Sequence, residues 1–179
     1  HYYKNDPNTF YVKVQPSMRP KVFYSKILQN MGVPDQNNGI QLHYLIQKIA
    51  FILKNSNEKN LLIIDEAGKF SPRMLEYLHE LRDETNENTG IILAGPDYFH
   101  SNLIKWVNRG KEGMPEVYRR INMWEELNKP TFSEVSAICE AYGLKNKSTH
   151  SSLHKLCTNY GALHNNIMDI IYTQQQLDE

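Results

Sequence analysis

Two adjacent carboxylates, Asp65 and Glu66, end the apolar run Leu61-Leu62-Ile63-Ile64. Carboxylates where a buried strand stops can meet a ligand, because open α/β sheets place their ligands at that edge. Arg119-Arg120 is a pair of side chains that stay cationic, each with a planar fork of donors. Lys105, Arg109 and Lys111 form a basic patch in a glycine-containing stretch. Each feature also has a plain structural reading: a core strand with a polar end, a solvated helix face, a solvated loop. His150 and His154 are four apart and could share a helix face as metal ligands do. No third ligand accompanies them, so an exposed polar face is the better reading. No GxSxG motif is present, and neither Cys139 nor Cys157 belongs to a CxxC or zinc-ligand spacing, which favours buried thiols.

The elements that must position these residues alternate. Thr9–Val14 is rich in β-branched and aromatic residues and predicts a strand. Helices follow over 18–31, with Gly32 as their stop, and over 40–54, separated by a polar loop. Leu61–Ile64 predicts a strand buried on both faces, which puts Asp65 and Glu66 at the carboxyl edge of a parallel sheet, where open α/β sheets bind ligands. A helix over 72–83, a second apolar strand over 90–95 and a helix over 97–107 come next. A short helix over 117–121 and a last strand over Asn122–Leu127 complete the pattern, and three further helices occupy 132–142, 151–160 and 163–176. Trp106 and Trp124 are expected in cores. Strand–helix alternation predicts a parallel, three-layer α/β domain over 1–128, and the helical remainder a small second domain over 129–179.

Composition narrows the classes. The 179 residues carry 20 basic and 20 acidic side chains, a formal balance of zero that argues against a strong nonspecific nucleic-acid binder. No stretch has the run of roughly 18 apolar residues that a membrane span needs. A soluble, cytoplasmic protein with no membrane role is expected.

Leu61–Glu66, Ile91–Pro96 with its helix, and Val117-Tyr118-Arg119-Arg120-Ile121 occur in the order seen in AAA+ P-loop ATPases. The chain resembles their transposition and DNA-processing branch, the Mu B, TnsC and ExeA-like proteins. The resemblance implies a three-layer P-loop NTPase-like sheet followed by a helical lid. It implies ATP and Mg²⁺ as cofactors, with Asp65 holding Mg²⁺ through water and Glu66 polarising the attacking water. Arg119 or Arg120 would be the arginine that reaches a neighbouring subunit's γ-phosphate in a homo-oligomer. His164 takes the place of the usual lid arginine, and Lys105, Arg109 and Lys111 become candidate DNA contacts. DNA and a transposase, or another DNA-processing protein, are the implied partners.

The sequence departs from that family in three places. No GxxxxGK followed by Ser or Thr occurs; after Gly68-Lys69, Phe70 stands where the hydroxyl is required. The resemblance therefore implies that the chain begins after the P-loop helix, that the sheet's central strand is missing, and that the chain alone neither hydrolyses nor tightly binds ATP. Gly95-Pro96 replaces the polar sensor of the second core strand, and His164 is a weak substitute for arginine. A non-hydrolysing AAA+-like adaptor or protein-interaction scaffold is the alternative.

Overall fold

The computed structural model describes residues 6–34 and 39–177. The polar residues 1–5 and most of the loop predicted after Pro34 lie outside that range. Three parallel strands, β1 (Thr9–Lys13), β2 (Asn60–Asp65) and β3 (Thr89–Leu93), pair in that order. Val12 lies opposite Ile64, and Ile64 opposite Leu93. Helices α1 (Pro20–Asn30) and α2 (Leu42–Lys54) connect β1 to β2, and α3 (Pro72–Thr85) connects β2 to β3. Helices α4 (Tyr98–Asn108) and α5 (Met114–Arg120) follow β3. The alternating α/β reading therefore holds.

Local chemistry fixes the ends of these helices. Pro20 and Pro72 open α1 and α3, where a missing N–H costs nothing. Ser71 accepts the Met74 N–H as the cap of α3. Gly32, at φ +78°, takes the left-handed turn after α1 while Val33 N–H returns to the Leu28 carbonyl.

Both crossovers step in the same direction, so their right-handedness puts α1 to α3 on one face of the sheet. Leu62 and Ile64 point to that face and are fully buried. Leu61 and Ile63, on the opposite face, are only partly covered. In the same row, Ile92 stays 49% exposed. The expectation of a strand sealed on both faces is thus met on one. The sealed face packs Val12, Phe23, Tyr24, Ile27, Leu45, Ile49 and Leu53 into a continuous core.

The chain divides into two compact units, His1–Asn122 and Met123–Glu179. Asn122–Leu127 forms no strand. Among the described residues it has no strand neighbour, and an unpaired strand leaves its backbone donors and acceptors without partners. Its side chains are exposed, Met123 by 77% and Leu127 by 87%. Trp106 packs on the first unit's core as expected, whereas Trp124 is 38% exposed. The second unit holds α6 (Phe132–Ala141), α7 (Lys147–Leu156) and α8 (Tyr160–Leu177) around Val135, Leu153, Leu163, Ile167 and the two buried free thiols. Thr131 and Glu134 cap α6 reciprocally.

Candidate functional site

Asp65 is the last residue of β2 and lies opposite Lys13, the last of β1, at the carboxyl edge of the sheet. Its Oδ1 accepts the Glu66 N–H at 2.8 Å and its Oδ2 accepts the Tyr11 hydroxyl at 2.7 Å. A carboxylate has about four lone-pair sites, so these bonds leave hard oxygen free for a cation or its water shell. The donor set fits Mg²⁺ held through water.

Glu66 has the left-handed backbone, φ 59° and ψ 33°, alone among described residues other than glycine. For an L-residue this costs about 1–2 kcal/mol. The neighbouring turn holds it there. Ala67 N–H donates to the Ala94 carbonyl at 2.8 Å and Lys69 N–H to the Glu66 carbonyl at 3.0 Å. Ala67 and Phe70 are buried, and the Phe70 ring meets Phe23 edge-on at 5.2 Å. Phe70, which has no hydroxyl for a phosphate loop, is thus a core anchor of the turn. The Glu66 carboxylate faces two cations, Lys69 Nζ at 3.2 Å and Lys13 Nζ at 3.9 Å.

The loop after β3 presses against this turn. A Cβ on Gly95 would lie 3.1 Å from the Gly68 backbone nitrogen, and one on Gly68 would lie 2.9 Å from the Tyr98 ring. This contact gives Gly95 a packing reason: a polar sensor side chain there would push the two loops apart.

Within the first unit, the other residues singled out from the sequence do not join Asp65 and Glu66 in direct contact. Helix α4 starts beside the Ala67–Lys69 turn and carries Lys105 seven residues along it, about 10 Å away at the helical rise of 1.5 Å per residue. Arg109 and Lys111 follow in the next turn, and all three are exposed.

Helix α5 is held to α3 at both ends. At its start Gly113, φ +76°, leaves no room for a Cβ beside Glu76. At its end Arg120 reaches Asp83 Oδ2 and His79 Nε2, both at 3.4 Å. Burial pushes the Asp83 carboxyl up, but the Arg82 hydrogen bond and the charges of His79, Arg120 and Arg82 outweigh it and hold it below its ordinary value. Arg119 instead contacts Glu116 of its own helix at 3.4 Å and is 74% exposed at its side chain. The structure thus separates the arginine pair into a tethered member and a projecting one.

His164 belongs to the second unit, where its Nδ1 lies 3.3 Å from the Tyr142 hydroxyl. His150 is a correction: it is buried at 2% exposure, with Nε2 2.6 Å from the Leu144 carbonyl. The carbonyl of the α6–α7 connection needs an internal donor, and His150 supplies it. His154 meets Phe132 edge-on. Among the described residues no group of three or more His, Cys, Asp or Glu could hold a metal ion, and no helix is long and apolar enough to cross a membrane.

Sequence reasoning missed Tyr11, Lys13 and Lys69. Lys69 could have been found from its i+3 spacing to Glu66. Tyr11 and Lys13 become neighbours of the carboxylates only through the β1–β2 register.

The solved structures that the chain resembles include two of the Aeropyrum Pernix ORC2 protein. The form with ADPNP–ADP complexes aligns at TM-score 0.57 and 19% identity, covering 80% of this chain and 38% of that one. The ADP form aligns at TM-score 0.57 and 21% identity, covering 74% and 35%. The chain therefore spans little over a third of those proteins, and at this identity the likeness concerns the fold, a P-loop NTPase-like α/β domain followed by helices. No curated protein matches the sequence. The AAA domain family matches residues 1–103, more than half of the chain and the whole segment from β1 through the start of α4. With Asp65 and Glu66 at the end of β2 inside that match, the chain belongs to the AAA domain family.

Proposed function

We propose that the chain is part of an ATPase that binds and hydrolyses ATP while acting on DNA, in transposition or a related process. The observation that carries this reading is the pair Asp65–Glu66 at the carboxyl end of the middle strand, with Asp65 fixed and Glu66 held in a strained turn. Mg²⁺ bound there would neutralise charge on the transferring phosphoryl group. Asp65 holds the cation's water shell. Glu66, once released from Lys69 and Lys13, orients the attacking water and takes up its proton. Arg119 is the arginine offered to a second copy in a homo-oligomer, because Arg120 is engaged by Asp83 and His79. His164 is the lid's contribution toward phosphate. Lys105, Arg109 and Lys111 are the proposed DNA contacts, with a transposase or similar protein as partner.

The phosphate cradle requires more than these residues. Among the described residues β3 pairs with β2 on one edge only, and its other edge is open to a further strand. The sequence holds no phosphate-binding loop of the form GxxxxGK followed by Ser or Thr, so the 179 residues alone should not turn over ATP. In the encoded protein containing this chain, Glu66→Gln should abolish turnover while ATP binding persists. Unchanged turnover would sink the assignment.

A second reading, a non-hydrolysing adaptor, draws on the two lysines that neutralise Glu66 and the missing side chain at Gly95. Calorimetry with ATP in the presence and absence of Mg²⁺ separates the two, since an adaptor need show no magnesium-dependent binding.

A further inference from the structure

We propose that Tyr11 is a positioning residue for the cation-holding carboxylate of Asp65, an inference that rests on the nucleotide reading above. Tyr11 lies opposite Ile63 in the β1–β2 register, and its side chain reaches diagonally to Asp65, two residues further along β2. Strand side chains two apart share a face, so the geometry needs no distortion of either strand. The row that Tyr11 shares with Ile63 and Ile92 is apolar apart from its hydroxyl. The hydroxyl is therefore the part that the carboxylate uses.

The two acidic side chains are treated differently. Asp65 receives two neutral donors, the Tyr11 hydroxyl at 2.7 Å and the Glu66 N–H at 2.8 Å, one on each oxygen. Its rotamer is fixed and its negative charge is left for a cation. Glu66 receives two cations instead. Donors to a directly ligating carboxylate set its orientation, and losing one typically weakens metal binding 10- to 100-fold; for a carboxylate acting through water the lower end, about 10-fold, is expected. No sequence motif marks Tyr11, which lies 54 residues from its partner.

The test uses the encoded protein containing this chain, with Mn²⁺ as probe. Free Mn²⁺ is read by electron paramagnetic resonance during titration in the presence of ATP. Tyr11→Phe should weaken Mn²⁺ binding about 10-fold and leave metal-free ATP binding unchanged. In an Asp65→Asn background the same change should have no further effect. Mn²⁺ binding by Tyr11→Phe within two-fold of wild type would overturn the assignment, as would an equal loss in the Asp65→Asn background. Loss of the fold in Tyr11→Phe, read by circular dichroism, would also overturn it, because the role would then be structural. Wild-type protein that binds no Mn²⁺ with ATP would instead overturn the nucleotide reading, and this inference with it.

Discussion

Replacing Glu66 by alanine and by glycine should reverse the usual order of the two residues. Both variants lose the carboxylate and its pairs with Lys69 and Lys13, so their difference isolates the backbone. Alanine keeps the strain of φ 59°, worth about 1–2 kcal/mol, and glycine relieves it. Against that, glycine loses about 0.5–1 kcal/mol more chain entropy than alanine on folding. The net expectation is that Glu66→Gly is more stable than Glu66→Ala by about 0.5–1 kcal/mol. With a urea slope of about 2 kcal/mol per molar, the midpoint should rise by roughly 0.3–0.5 M. Urea unfolding of the first unit, followed by the fluorescence of Trp106, measures it; replacing Trp124 by phenylalanine in both variants removes the second signal. If glycine proves less stable than alanine by the ordinary helix or strand penalty, the strain argument is wrong. The expected result means that a residue proposed for catalysis carries a stability cost, as strained functional positions do.

Three further outcomes follow from particular contacts. Gly95→Ala should cost about 1–3 kcal/mol, because the atom it meets is the Gly68 backbone nitrogen, which cannot swing aside; thermal unfolding reads this. His150→Ala removes the donor to the Leu144 carbonyl and leaves a void, so the helical unit should lose about 2–4 kcal/mol in denaturant titration. The third concerns pH. Hydrogen bonds from the Thr131 side chain, the Thr131 N–H and Tyr160 hold the Glu134 carboxyl below its ordinary value of 4.5. A depressed folded value means that the stabilisation is present above pH 4.5 and is lost as pH falls through the lower folded value. Helix α6 should therefore weaken on acidification, and Glu134→Gln should flatten that dependence in circular-dichroism melts at stepped pH.

Much of the fold is local in origin, and those parts were legible in the sequence. The apolar spacing of Leu45, Ile46, Ile49 and Leu53 marks α2, and Pro72 and Gly32 mark helix ends by backbone chemistry that needs no distant partner. Leu61–Ile64 reads as a strand for the same reason, and the placing of Asp65 and Glu66 at its end follows. Asn122–Leu127 shows the limit. Its residues favour a strand, but a strand exists only when a neighbour takes its hydrogen bonds, and no local pattern supplies one. Likewise the burial of His150 depends on where the α6–α7 connection leaves the Leu144 carbonyl.

The sequence by itself determined the order of elements and the chemistry available at the end of β2. Tertiary structure decided how that chemistry is held. Register brings Tyr11 and Lys13 to the carboxylates, packing of the two loops requires Gly95, and the α3–α5 contact tethers Arg120 while Arg119 projects. Periodicity and capping act over three or four residues and can be read along the chain. Contacts across strands and between loops join residues far apart in sequence, and only the closed sheet and its packed helices fix which of them meet.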